Sequence, residues 1–120
     1  YNEMNNMQDR TKIFKALSDL NRIRILKALQ TKSFCVCEIK ELLNLANSTV
    51  SQHLKILKET GFIVEEKDGK WVNYMINPKP IDSRISSILS TFDFWINDEN
   101  LIVSDKNKIK NIDRNKICGI

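Results

Sequence analysis

Apolar residues recur at helical spacing through the first half of the chain, switch to short β-rich runs past the middle, then return to helical spacing. Between Met7 and Leu29 the repeating positions are Ile13, Phe14, Leu17, Ile23, Ile25, Leu26 and Leu29. Ser18 and Asp19 interrupt them, and both residue types favour helix N-caps, so the pattern predicts helices over about 7–18 and 20–30. A third helix is expected over Val36 to Leu43, with Val36, Ile39, Leu42 and Leu43 turned inward. A tight polar connection, Asn44-Leu45-Ala46-Asn47, leads to a fourth, with Asn47 as its cap, Val50, Leu54 and Leu57 inward, and Gly61 closing it where positive φ is wanted.

Phe62 to Lys67 and Lys70 to Ile76 then read as two strands around Asp68-Gly69, a strong two-residue hairpin signal. Pro78 and Pro80 end the second strand. A last long helix is expected over 81–97, with Ile81, Ile85, Ile88, Leu89, Phe92, Trp95 and Ile96 on one face. Residues 98–120 are polar and lysine-rich with scattered isoleucines, a C-terminal tail or a helix extension. The expected fold is mainly α with a small β-hairpin (α+β), in the order of a winged helix-turn-helix. The broad apolar face of the terminal helix exceeds what one small core covers, which predicts a homodimer packed through the helix near 81–97 and the first helix.

At 120 residues the chain is long enough for one domain, here 1–97 followed by the tail, and for little beyond a single core. Its composition, 42% hydrophobic and 28% charged, is that of a soluble globular protein, and its apolar runs are far short of the ~20 residues of a membrane span. A formal charge of +4 favours an anionic partner. Residues 1–6 carry no basic-then-apolar leader, and three cysteines are too few for a disulfide scaffold, so reduced thiols in a cytoplasm are expected.

With the inward positions of the fourth helix removed, Ser48, Thr49, Ser51, Gln52, His53 and Lys55 remain. Short hydroxyls and an amide at a helix start suit the base edges of a DNA major groove, and free N–H groups there favour phosphate. Lys67 and Lys70 flank the hairpin tip, where a wing meets the backbone or minor groove of double-stranded operator DNA. His53, the single histidine, serves equally well as a packing or phosphate-contacting residue.

Chemistry concentrates in Phe34-Cys35-Val36-Cys37-Glu38-Ile39. Cys35 falls at the N-cap of the third helix and Glu38 three residues on, the spacing of a capping box in which Ser or Thr is the usual first member. Replacing a good cap by a poor one costs about 1 kcal/mol, so the position trades helix stability for a thiol, with a second thiol at Cys37. A helix start favours the thiolate form, and thiolates select soft metals and metalloids. Two thiolates at i and i+2 diverge on a regular helix and converge on one ion only if the first turn deforms.

Ala16-Leu17-Ser18-Asp19 with Arg22-Ile23-Arg24-Ile25-Leu26, the Cys35-Val36-Cys37 segment, Ser48 through Leu57, and Gly61-Phe62-Ile63 together resemble the ArsR/SmtB family of metal-responsive repressors. Gly69-Lys70-Trp71-Val72-Asn73-Tyr74 is similar to the wing of the arsenical-resistance repressors. The resemblance, over about Phe14 to Pro78, implies a homodimeric winged-helix repressor that leaves its operator when an effector binds. Cys-Val-Cys at this place is shared by arsenite and antimonite sensors and by cadmium/lead sensors. The arsenic pattern adds a third cysteine where this chain has Lys40, and the cadmium/lead pattern adds cysteines to an N-terminal arm, where Tyr1 to Arg10 has none. The zinc pattern pairs Asp with His on the terminal helix, where Asp82, Asp93 and Asp98 stand without a histidine. The remaining thiol, Cys118, follows a stretch that spans about 25 Å r.m.s. if flexible.

The expected effector site is therefore Cys35, Cys37 and Cys118 around As(III) or Sb(III), with Cd(II) or Pb(II) and a thiol-redox switch as alternatives, and with a small cellular thiol as a substitute third ligand. An enzyme is not expected, because a thiol enzyme needs a positioned acid or base, the lone histidine lies on the expected DNA face, and no phosphate-cradling Gly-rich loop is present.

Overall fold

The computed structural model describes residues 11–117. Helix α1 covers 11–17, and α2, Leu20–Leu29, starts at Asp19, whose carboxylate accepts from the N–H groups of Asn21 and Arg22. A two-residue strand β1, Phe34–Cys35, precedes α3, Val36–Leu43, which ends at Asn44 in the left-handed conformation, φ 56°. Helix α4 is Asn47–Glu59. Ala46, not Asn47, takes the extended backbone of its cap, and Asn47 is the first helical residue. Gly61, at φ 92°, turns the chain out of α4 as expected of a glycine just past a helix end.

Strands β2, Ile63–Asp68, and β3, Trp71–Ile76, form the hairpin. Asp68 pairs with Trp71, so the turn is Gly69-Lys70, one residue later than Asp68-Gly69. Only its first central residue has positive φ, Gly69 at 60°, the arrangement of turns that place glycine first. The sheet order is β1-β3-β2, all antiparallel, with Phe34 opposite Tyr74 and Cys35 opposite Asn73. The two residues of β1 are too short a run to register as a strand by periodicity, and they tie the thiol segment to the wing.

Helix α5 is Ser83–Phe92, shorter than the 81–97 expected from the apolar spacing, and Ile81 lies fully exposed ahead of it. The stop comes from outside the segment. Lys27 of α2 is buried and donates to the carbonyls of Phe92 and Trp95 and to the amide oxygen of Asn97, capping the end of α5, and Ile96 then takes a left-handed φ of 55°. Burial lowers the Lys27 pKa below the ordinary lysine range.

Residues 100–117 do not form a detached polar tail. Helix α6, Asn100–Ile109, packs on α2 and α3, burying Ile102, Asp105 and Ile109, and the short α7, Arg114–Ile117, packs on α3. Arg24 Nε and Nη2 each donate to an Asp105 oxygen at 2.9 Å, with both side chains largely shielded from water. The core runs from α2 through α3 and α4 to the sheet and α5, around Ile25, Leu26, Phe34, Ile39, Leu54, Leu57, Phe62 and Ile85. Among the described residues no helix is long and apolar enough to cross a membrane.

Candidate nucleic-acid interface and thiol site

Five of the residues expected to face DNA on α4, namely Ser48, Thr49, Ser51, Gln52 and Lys55, are exposed, as are Lys67 on β2 and Lys70 at the hairpin turn. The start of α4 has no side-chain cap bond, so its first N–H groups point outward with no internal acceptor from the cap residue. With the helix dipole they make a local site for a phosphate group.

His53 departs from this set. It is 9% exposed and lies on the inward stripe with Val50, Leu54 and Leu57. Its Nδ1 lies 3.1 Å from Arg22 Nη1, and its Nε2 is 4.0 Å from an Asp19 oxygen. Since the guanidinium can only donate, Nδ1 is the acceptor in this arrangement, which fixes the proton of a neutral ring on Nε2. Arg22 also donates to the carbonyls of Ala16 at 2.7 Å and Lys15 at 3.0 Å. His53 is thus a strut between α4 and the α1–α2 corner, and it leaves the DNA-facing set. The spacing 50, 53, 54, 57 contained this signal, since it is a full helical stripe.

The hairpin is linked back to α4 through Lys58, whose ammonium bonds the Glu65 carboxylate. That bond holds Glu65 below the ordinary glutamate range and Lys58 above the ordinary lysine range. Burial, then Glu65, raises the Tyr74 hydroxyl pKa. Tyr74 lies opposite both Glu65 and Phe34, so one row of the sheet runs from α4 to the strand that carries Cys35.

Cys35 is 3% exposed and does two things at once: it pairs with Asn73 in the sheet and caps α3. The reciprocal capping box is present, with the Cys35 N–H donating to Glu38 Oε1 at 3.0 Å and Glu38 itself buried. Cys37, two residues on, is half-buried. Cys118 lies outside the described residues, and among the described ones no three His, Cys, Asp or Glu side chains gather where they could hold a metal ion. A cleft of about 620 Å³ is lined by Lys32, Glu38 and Asn73 and by α7 and the loop before it, and neither Cys35 nor Cys37 is part of its lining. Arg114, which lines this cleft and donates to Asn73, is a residue here that the sequence did not single out.

A helix-turn-helix with an outward polar second helix, flanked by an antiparallel hairpin, is now in place, and residues 19–64 match the profile described as bacterial regulatory protein, arsR family. The chain belongs to the arsR family. An uncharacterized HTH-type transcriptional regulator of Methanocaldococcus jannaschii is 37% identical over 91 residues, covering 75% of this chain and 98% of that protein. The arsenical resistance operon repressor of Bacillus subtilis is 36% identical over 77 residues, covering 63% and 73%. The cadmium resistance transcriptional regulatory protein CadC of Listeria innocua is 44% identical over 64 residues, covering 52% and 54%. Among solved structures, the homodimeric winged helix-turn-helix domain of a possible ArsR-family regulator of Mycobacterium bovis aligns with a TM-score of 0.65 over 82% of this chain and 87% of that one. At 18% identity that likeness speaks for the fold. Membership in this family makes the chain a transcriptional regulator and not an enzyme.

Proposed function

We propose that the chain is a thiol-gated repressor, which binds operator DNA as a homodimer and leaves it when As(III) or Sb(III) is taken by Cys35, Cys37 and Cys118. The observation that carries this reading is the double use of Cys35. It serves as both the α3 cap residue and the partner of Asn73, while two thiols at i and i+2 diverge on a regular helix. An effector that draws both thiols onto one ion would then open the first turn of α3 and strain the join between β1 and β3. Helix α3 packs directly on α4, and β3 is half of the wing, so both DNA-facing elements rest on what the effector disturbs. Release requires the effector to favour the opened state, and a coupling of about 1–3 kcal/mol lowers operator affinity about five- to 150-fold.

In the closed state, Ser48, Thr49, Ser51, Gln52 and Lys55 enter the major groove and Lys67 and Lys70 hold the flanking backbone. Support for Cys118 as third ligand comes from α7, which packs on α3 and ends at Ile117, the residue before it. For the dimer, the α1–α5 face offers a groove of about 320 Å³ lined by Ile13, Phe14 and Ile88, with Phe14 71% exposed. The arsenical-resistance relative supports As(III) or Sb(III), and the cadmium-resistance relative keeps Cd(II) or Pb(II) as the second reading.

The test is operator binding by the reduced protein, followed by fluorescence polarisation while arsenite and then Cd(II) are added, for wild type and Cys118→Ser. Arsenite is expected to release wild type and to act much more weakly on the variant. Equal release in both discards Cys118 as a ligand. Release by Cd(II) alone moves the chain to cadmium or lead sensing, and release by neither leaves the redox switch.

A further inference from the structure

By its own charge the hairpin is a poor match for DNA. Residues 63–76 carry Lys67 and Lys70 against Glu65, Glu66 and Asp68, a formal charge of −1. Cross-strand partners share a face of a sheet, so Glu66 opposite Asn73 and Asp68 opposite Trp71 put two of these carboxylates on one face. That is the face Arg114 of α7 touches. Its Nη1 donates to Asn73 Oδ1 at 3.2 Å, its Nη2 donates to Asp68 Oδ2 at 3.1 Å, and its guanidinium carbon sits 4.7 Å from the centre of the Trp71 ring. Lys70 lies on the same ring at 5.5 Å, and the two distances together place its charge no more than about 10 Å from that of Arg114. That is about one Debye length at 0.1 M salt, so an approaching phosphate meets the two as one field.

The cleft that Arg114 lines has the same sign of charge. Lys32, Lys110 and Lys116 join Arg114 in its lining, against the carboxylates of Glu38 and Asp113. Both carboxylates already accept from backbone N–H groups, Glu38 from Cys35 at 3.0 Å and Asp113 from Asn115 at 2.9 Å. The three lysines are exposed, and among the described residues none of them is in an ion pair. We infer that α7 and the loop before it complete the wing as a surface for the DNA backbone. Arg114 cancels Asp68 at the tip, and Lys32, Lys110 and Lys116 take phosphates of the duplex that flanks the wing contact. The inference rests on the reading that the hairpin faces DNA. The Asp68 side chain is 55% exposed, so without its partner it would stand against the phosphate that Lys67 and Lys70 hold. Residues 110–116 bring Lys110, Arg114 and Lys116 against Asp113, which carries the hairpin's charge of −1 past zero. Such contacts add affinity without reading sequence, because phosphates are alike along the duplex.

The experiment follows binding of the full chain to a fluorescein-labelled duplex of mixed sequence, about 30 base pairs long, by polarisation between about 50 and 200 mM salt. The Lys110→Ala, Lys116→Ala double variant is expected to flatten the slope of log affinity against log salt by about 2 per protomer. Crossing that salt range then costs wild type about tenfold more affinity than it costs the variant. Lys79→Ala with Lys106→Ala removes the same charge from two exposed lysines outside the cleft and should keep the wild-type slope. Arg114→Ala should weaken binding about fivefold at the lower salt, and adding Asp68→Asn should restore most of the loss. A wild-type slope in the Lys110, Lys116 variant, or equal flattening by the Lys79, Lys106 pair, would overturn the cleft as a DNA surface. A loss in Arg114→Ala that Asp68→Asn leaves untouched would overturn the cancellation at the tip. Lys67→Ala with Lys70→Ala, run alongside, tests the hairpin by itself. Wild-type affinity and slope there would sink the DNA-facing reading of the hairpin, and this inference with it, whatever the cleft variants do.

Discussion

The two helices of the helix-turn-helix begin in opposite ways. The start of α3 is buried and fully engaged: Cys35 is paired in the sheet, its N–H is taken by Glu38, and Glu38 is itself buried. The start of α4 is exposed, and Ala46 offers it no side-chain acceptor. A helix start that is satisfied internally can be a switch, because something must be broken to use it. A helix start left unsatisfied is ready for an external anion. On the proposed function sensing and DNA binding fall on these two starts, at Cys35 and at Ala46, in a packed pair of helices.

Removing the internal acceptor at α3 should give the largest effect. Glu38→Ala leaves the buried Cys35 N–H without its partner and is expected to destabilise the fold by about 1–3 kcal/mol in urea denaturation, with Glu38→Gln retaining most of the stability. A negligible change for Glu38→Ala would mean that the capping box does not hold the thiol segment shut. At the other start the contrast is sharper because two signs oppose. Ala46→Asp supplies the missing cap and should raise stability by about 1 kcal/mol, yet weaken operator binding about tenfold by placing a carboxylate where phosphate is expected. Stability and operator affinity rising together would show that DNA does not approach the start of α4.

The smallest effect belongs to the exposed Lys58–Glu65 pair between α4 and the wing. Glu65 is held below its ordinary range, so its contribution is present above the ordinary glutamate pKa and is lost as pH falls through the lowered value. Lys58 is held above its range, so its contribution is present below the ordinary lysine pKa and is lost as pH rises through the raised value. Lys58→Met should therefore lower the neutral-pH Tm slightly, leave the Tm at low pH unchanged, and flatten the acid limb of a Tm-against-pH profile by that same small amount. An unaltered acid limb would remove the pair as a link between α4 and the hairpin.

Much of this was legible locally. The bounds of α3 follow from its own apolar stripe, and Gly61 and Gly69 mark turns because positive φ is needed there. What the sequence hid are the places where a distant residue decides. The apolar stripe of α5 continues past Phe92, and the helix stops where Lys27 takes the Phe92 carbonyl and, beyond the helix, that of Trp95. Helix α6 looked like polar tail because one of its inward positions is Asp105, whose partner Arg24 lies 81 residues earlier. His53 looked like a DNA contact because a histidine among hydroxyls reads as surface, although its position in the stripe with Val50 and Leu57 points inward. Cys35 was recognisable as a thiol at a helix start, while its pairing with Asn73 required the sheet.

The distance between Arg24 and Asp105 also orders events in time. At about 5–20 residues per second of synthesis, Arg24 waits several seconds for its carboxylate, and the helix-turn-helix is already made when it arrives. A chain broken off before α6 would leave that guanidinium unpaired among buried side chains and bare the apolar surface that Ile102 and Ile109 cover. On the proposed function such a fragment would keep the α4 and hairpin residues that face DNA and lack Cys118, so a stable one would hold the operator without answering the inducer. Because the brace arrives almost last, a truncated product is expected to open more readily and to be cut faster by protease than the full chain.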